Sequence, residues 1–157
     1  MKQKIVSRSR LLQLARGWKS ANKKIIFTNG TFDILHAGHV TYLEKAKRCG
    51  DILVVGVNSD RSVKTYKGPH RPVNPEKDRA RIISALACVD YAVIFGEPTP
   101  RNLIVQLRPD VLVKGSDWKK EEIAGAREVE SWGGRVARIP LVAGKSTTAI
   151  IKKMRGS

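Results

Sequence analysis

The chain has 157 residues, 41% of them hydrophobic, enough to build one domain with its own core and with no sign of a second. No apolar run reaches the roughly 18 to 20 residues of a membrane span, and the start "MKQKIVSRSR" lacks the apolar stretch of a secretory signal, so a cytoplasmic protein without membrane partners is expected. Thirty Lys and Arg against fourteen Asp and Glu give a net charge of +16, which calls for anionic partners.

In chain order, residues 1–23 form a first segment with no acidic residue, and "SRSRLLQLARGWKSANKK" predicts a basic amphipathic helix packed on the domain through Leu11, Leu12, Leu14 and Trp18. Over residues 24–157, short β-branched runs alternate with helical patterns, as in an α/β domain. The runs "KIIFT", "DILVVGVN", "YAVIF", "DVLVKG" and "RVARIP" are strand-length and nearly continuous in apolar character, which fits parallel strands covered on both faces. A helix is expected from near His39 to Gly50. Another covers "NPEKDRARIISALACV", with Asn74 as cap and Pro75 at the first helical position. Further helices are expected over "TPRNLIVQLRP", "DWKKEEIAGAREVESWGG" and "KSTTAIIKKM". Five strands separated by helices predict a single doubly wound, five-stranded parallel sheet of Rossmann-like form. Cys49 and Cys88 show no CxxC spacing and read as idle thiols.

"TNGTFDILHAGHV" follows the first strand and opens the first helix after it, the position where open α/β sheets bind ligands beyond their strand ends. Gly30 permits a tight turn and a close backbone approach to phosphate. His36 and His39 can face one phosphate together if the helix starts near Gly38. A zinc site would need a third and usually a fourth ligand. The one remaining histidine is His70 in a Pro-rich loop, so no metal site is expected. A core-histidine role is also disfavoured, because the pair lies beside Asn29, Thr31 and Asp33, which an apolar interior would leave unsatisfied.

The segment resembles the HxGH signature of the nucleotidyltransferase superfamily that includes the cytidylyltransferases, and "GKSTTAII", Gly144 to Ile151, resembles its C-terminal signature. Two signatures in the expected order are more specific than either alone. Within the superfamily, "TNGTFDILHAGHVTYLEKAK", "SVKTYKGPHRPVNP", "PDVLVKGSDW", "EEIAGAREVESWGG" and "STTAIIKK" are similar to the adenylyltransferases that make ADP-heptose from D-glycero-β-D-manno-heptose 1-phosphate, a lipopolysaccharide core precursor. These occur alone or as the second half of a fused kinase and transferase. The likeness runs from Lys24 to Lys153, and Thr31 departs from it by standing where Cys is more common.

The resemblance implies transfer of AMP from ATP to a sugar 1-phosphate, with Mg2+ arriving on the nucleotide and a homodimer as the assembly. His36 and His39 would bind the nucleotide phosphates and stabilise the transition state. Lys67, in the "YKGPHRP" loop, would bridge the incoming phosphate and the nucleotide. Asn29, Gly30, Thr31, Phe32, Gly38 and Arg79 are expected against the nucleotide, with Ser146, Thr147 and Thr148 on its β and γ phosphates. Lys114, Gly115 and Asp117 of "VKGSDW" would surround base and ribose, and Asp33 and Arg71 would serve the sugar phosphate. The chemistry suits this set, because an anionic phosphate nucleophile needs no strong base but does need donors and positive charge on the accumulating oxygens. Rival readings are a glycerol-3-phosphate cytidylyltransferase or an FAD synthetase of the same superfamily and, in another class, a nucleic-acid-binding module using the basic termini. Aromatic residues are only 6% and are not interleaved with the basic ones, which argues against the last.

Overall fold

A computed structural model describes residues 2–156; Met1 and Ser157, at the outer ends of the two expected segments, lie outside the described residues. Strands β1 (Ile25–Gly30), β2 (Ile52–Asn58), β3 (Tyr91–Phe95), β4 (Val111–Gly115) and β5 (Arg135–Ile139) form one parallel sheet in the order β3-β2-β1-β4-β5. The chain winds outward from β1 first on one side and then on the other, so the carboxyl ends of β1 and β4 flank a crevice.

Helices cover both faces. On one, α1 (Arg8–Ser20), α5 (Arg101–Leu107) and α6 (Ala126–Ser131) close a core around Phe27, Leu11 and Ile104. On the other, α2 (Ala37–Lys47) and α4 (Glu76–Ser84) pack Leu43, Ala46, Ala80 and Ile83 onto Ile26, Val55 and Val57. The remaining helices are α3 (Asp60–Lys67) and α7 (Thr147–Met154). β1 and β2 are buried almost throughout, as their apolar runs require, whereas β5 departs from the expected continuous pattern. It is an edge strand with Arg135 and Arg138 exposed, and charge on an edge discourages further strand pairing.

The N-terminal helix is capped by Ser7, whose side chain accepts from the Arg10 amide, and it buries Leu11 and Ala15. Trp18 lies on the Tyr91 ring with centroids 4.9 Å apart. Ahead of the helix, Val6 donates to the Ala92 carbonyl and Ala92 to that of Lys4, so residues 4–6 line the open edge of β3. Several terminal cations are used internally: Lys4 Nζ donates to the Leu86 carbonyl, Lys19 Nζ to that of Leu107, and Arg8 pairs with Glu97.

Three expected elements differ. Lys67 is not in a loop but ends α3, a helix with little apolar signal that is started by Ser59 capping Ser62 and anchored by buried Val63. Pro75, not Asn74, is the N-cap of α4, because the Asn74 amide group instead donates to the Asp33 carbonyl at 2.7 Å, and α4 ends at Ser84 rather than continuing to Val89. The "DWKKEEIAGAREVESWGG" stretch is broken into a short 3-10 turn, Lys120–Glu122, and α6. The break is at Gly125, which has φ +87°, a conformation that costs glycine little. Cys49 and Cys88 are free and half-buried.

Candidate functional site

A cleft of about 390 Å³ opens over the carboxyl ends of β1 and β4. Its floor is Asn29 to Asp33, one side is the start of α2, and the other is Lys145 to Thr148 at the start of α7, with Lys67, Lys114, Asp117 and Trp118 around the rim. Thus Asn29, Gly30, Thr31, Phe32, Asp33, His36, Gly38, His39, Lys67, Lys114, Asp117, Ser146, Thr147 and Thr148 are brought together from six parts of the fold. Gly115, Arg71 and Arg79 do not line it.

The two histidines form the centre. His36 is the N-cap of α2 and His39 lies in its first turn, so the helix start presents both rings on one side. They stack with centroids 3.8 Å apart, and the edge of Phe32 backs His39 at 5.3 Å. Phe32 is also the strained residue of the loop, with φ 47°, so the sharp backbone turn expected at Gly30 falls here instead. Gly30 has a different constraint: a Cβ there would sit 3.0 Å from the Phe32 ring. At Gly38 a Cβ would lie 2.9 Å from the His36 ring and 3.0 Å from Lys145 Cβ, so only glycine lets that ring and α7 approach the helix start together.

Burial holds His36 below its ordinary range, helped by the Lys145 charge. Burial, with His36 and Lys67 adding to it, pushes His39 down to about 4. Both rings are therefore neutral near pH 7. The Nδ1 atom of each is buried without a partner, which leaves Nε2 as the nitrogen facing the cleft. A neutral imidazole carries one proton, and on Nε2 that proton becomes a donor aimed at a bound anion. Lys67 is lowered by burial and by Arg71, partly offset by Asp33, and burial brings Lys114 down to about 8 against the opposing pull of Asp117. The cleft thus holds its basic groups in an environment that disfavours their charge, a penalty that a bound anion would relieve.

A buried polar strap fixes the floor. The Asp33 carboxylate, 2% exposed, accepts from the Val73 and Asn74 amides at 2.9 Å and from Arg71 Nε at 2.8 Å. Burial would raise its pKa, but the backbone donors of Asn74 and Val73 and the Arg71 guanidinium outweigh that and hold it below the usual carboxylate range. Asp33 thus ties the Arg71–Asn74 loop to β1 while lining the cleft, and Arg71, the other half of that tie, lies outside the cleft with its Nη2 buried and unpartnered. Arg79 lies away from the cleft. It is fully buried and donates to the carbonyls of Asn74, Thr31 and Asn58 and to Asp60, so it joins three loops and does not line the cleft. Its helical spacing could not distinguish an exposed arginine from one pointing inward at unpaired carbonyls.

The α7 wall is different. Ser146 caps the helix, accepting from the Ala149 amide at 3.0 Å, and Thr147 Oγ1 donates to the Ile34 carbonyl at 3.3 Å, yet α7 buries none of its residues. Gly115 closes the end of β4, where a Cβ would meet Asp117 Oδ1 at 2.5 Å.

The sequence reading did not single out Tyr42, Leu141 or Val142, which also line the cleft. Tyr42 pairs with Thr28 Oγ1 at 2.8 Å and donates to the Val113 carbonyl, tying α2 to β1 and β4, and burial pushes its hydroxyl up to about 12. Its i+3 spacing from His39 on α2 was a usable signal. Leu141 and Val142, in the linker after β5, carried none.

Among the described residues, no group of three or more His, Cys, Asp or Glu side chains converges as a metal cage, and no helix is long and apolar enough to cross a membrane.

A family model described as cytidylyltransferase-like matches residues 27–153. The bifunctional protein HldE of Methylobacillus flagellatus is 52% identical over 151 residues, covering 96% of this chain and 31% of that protein. The bifunctional protein HldE of Wolinella succinogenes is 50% identical over 155 residues, covering 99% of this chain and 32% of that protein. The chain therefore spans about a third of the length of these relatives. The crystal structure of the lipopolysaccharide core biosynthesis protein from Thermoplasma volcanium GSS1 superposes with a TM-score of 0.66 at 32% identity, covering 76% of this chain and 98% of that one.

Proposed function

Since the chain belongs to the cytidylyltransferase-like family, we propose that it is a nucleotidyltransferase that moves AMP from ATP to D-glycero-β-D-manno-heptose 1-phosphate, releasing pyrophosphate. The observation that carries the reading is the stacked, neutral pair His36 and His39, with Nε2 facing a cleft whose other side is the N-terminus of α7. Relatives named HldE and a neighbour named for lipopolysaccharide core biosynthesis support the heptose acceptor.

In the proposed reaction an oxygen of the acceptor phosphate forms a bond to the α-phosphorus as the bond from that phosphorus to the bridging oxygen breaks, and pyrophosphate leaves with the electron pair. No proton has to be removed from the nucleophile. The residues' work is to place two anions against each other and to receive the charge that builds on the α-phosphoryl oxygens. His36 and His39 donate from Nε2 to those oxygens. Lys67, at the end of α3, offsets the repulsion between acceptor and nucleotide. Ser146, Thr147 and Thr148 offer hydroxyls and free amides to the β and γ phosphates, where the helix end favours negative charge. Lys114, Asp117 and Trp118 receive ribose and base, with the exposed side chain of Leu141 lining the same cleft. Magnesium would neutralise phosphate charge; with Asp33 committed to its loop, phosphate oxygens and water would be its main ligands. A cytoplasmic location, where ATP is supplied, and a homodimer are the expected setting, which cell fractionation and sedimentation test.

The deciding experiment is a pyrophosphate-release screen of ATP and CTP against heptose 1-phosphate, glycerol 3-phosphate and FMN. ATP with heptose 1-phosphate should be turned over fastest. Faster turnover of CTP with glycerol 3-phosphate, or of ATP with FMN, would replace the acceptor assignment.

A further inference from the structure

The last turn of α3 brings Lys67 to the cleft, yet no core packing holds it there. The helix buries Ser62 and Val63, both in its first half, whereas Lys64, Thr65, Tyr66 and Lys67 are exposed. Gly68 follows with φ 92°, so the chain turns away as soon as the helix ends. An unpacked helix end frays, and a lysine on a frayed turn has no fixed direction.

Tyr66 supplies a tie across the fold. Its ring is 52% exposed, but its hydroxyl meets the Thr31 hydroxyl at 2.6 Å. Thr31 is a firm anchor: it is 9% exposed, stands directly after β1, and its carbonyl accepts from the buried Arg79 Nη1 at 2.6 Å. The far end of the loop after α3 is fixed as well, by the Val73 and Asn74 amides on Asp33. The segment carrying Lys67 is therefore moored at both ends to the floor of the cleft, and Lys67 comes immediately after the first mooring. Successive residues on a helix point about 100° apart, so fixing the Tyr66 phenol fixes the rotation of the last turn and the direction in which the Lys67 stem leaves it. Thr31 and Lys67 line the cleft, and Tyr66 stands outside it.

Thr31 is also where the chain departs from the adenylyltransferases it resembles, by standing where Cys is more common. A thiol is only a weak donor and a weak acceptor, so the short hydroxyl pair is a link that threonine makes possible here.

We propose that the Thr31–Tyr66 hydrogen bond is a latch that aims Lys67 into the cleft, with Tyr66 and Thr31 as positioning residues for the transfer. The proposal rests on the nucleotidyl-transfer reading above, in which Lys67 bridges the two anions, and adds what holds that lysine in place.

The test combines amide hydrogen exchange with steady-state kinetics in Tyr66→Phe, Thr31→Val and their double variant. Exchange at Gly68, whose amide donates to the Lys64 carbonyl at 3.0 Å, reports on the last turn independently of any reaction. Loss of one hydrogen bond predicts exchange about three- to tenfold faster in each single variant. The double variant should show no further gain, and Thr31→Ser, which keeps the hydroxyl, should recover most of what Thr31→Val loses. With ATP and heptose 1-phosphate, Tyr66→Phe should lower kcat about tenfold while the ATP dissociation constant, from calorimetry, stays within about twofold of wild type. In a Lys67→Met background the same substitution should cost less than about twofold, because no lysine is left to place. Wild-type exchange at Gly68 in both single variants, kcat losses that multiply in the double variant, or an undiminished loss in the Lys67→Met background overturns the latch. Faster exchange together with wild-type turnover in Lys67→Met rejects the bridging role of Lys67, and the positioning claim with it. Wild-type protein that binds ATP yet releases no pyrophosphate with any sugar 1-phosphate rejects the proposed function itself, an outcome the exchange rates do not share.

Discussion

His39 stands on a helix whose Leu43 and Ala46 are sealed in the core, whereas Thr147 and Thr148 stand on a helix that buries none of its residues. Both walls face the same cleft. The β1–α2 wall is backed by Phe32 and by the Asp33 and Arg79 strap, so its donors are held in place before any ligand arrives. The α7 wall is held by a serine cap and one threonine hydrogen bond. Where charge develops during the reaction, moving a donor into place would add to the barrier, so rigidity raises turnover. In the proposed reaction pyrophosphate leaves along α7, and a lightly held helix can adjust to its departure. Damage to the first wall should therefore appear in kcat, and damage to the second in KM.

The largest effect is expected from His39→Ala, which removes a preorganised donor and should lower kcat by roughly 10² to 10³ at saturating substrate while the melting transition stays cooperative. His36→Ala should follow it. Near wild-type kcat in either would put the first wall outside the chemistry. Next comes Gly38→Ala, whose added methyl must displace the His36 ring or the Lys145 stem. A shift of that kind costs about 10- to 100-fold in kcat, and a change confined to the nucleotide KM would instead mean that the methyl displaces α7 alone.

Lys114 sharpens the contrast through pH. With its free-enzyme pKa near 8, it carries charge below that pH and loses it above. kcat/KM for the nucleotide should fall by up to about tenfold as pH rises through 8, and Lys114→Met should remove that limb at the cost of lower activity throughout. For the second wall, Ser146→Ala should cost α7 about 1 kcal/mol of cap stability and raise the nucleotide KM about fivefold, with kcat within about twofold. A matching collapse of kcat would show α7 to be as preorganised as α2.

The smallest expected effect is on stability. His39 has its pKa lowered on folding, so the folded state favours the neutral ring. The unfolded chain binds the proton more readily between pH 6.5 and 4, so this contribution is complete above 6.5 and is lost as pH falls toward 4. After solvent screening it is of order 1 kcal/mol. Thermal melts across that window should show a shallower acid-side decline for His39→Gln than for wild type, and parallel curves would show that the ring's burial does not bear on stability.

What the sequence by itself determined was whatever depends on period, on spacing or on the chemical type of a residue. The five apolar runs specify strands that must be covered on both faces, and alternation with helical segments restricts them to a parallel doubly wound sheet. The HAGH spacing places two imidazoles at a helix start because both are within the first turn. What only the tertiary structure decided was which way isolated polar side chains point. Arg79 and Arg71 differ little from exposed arginines in sequence, but carbonyls of Thr31, Asn58 and Asn74 and the carboxylate of Asp33 converge on them once the loops meet. The α3 helix likewise has one buried apolar anchor, Val63, and forms where a cap and the neighbouring loops support it. Burying a charged or carbonyl group is costly unless its partner is present, and here those partners lie far away in sequence, so they became visible only when the sheet brought the loops together.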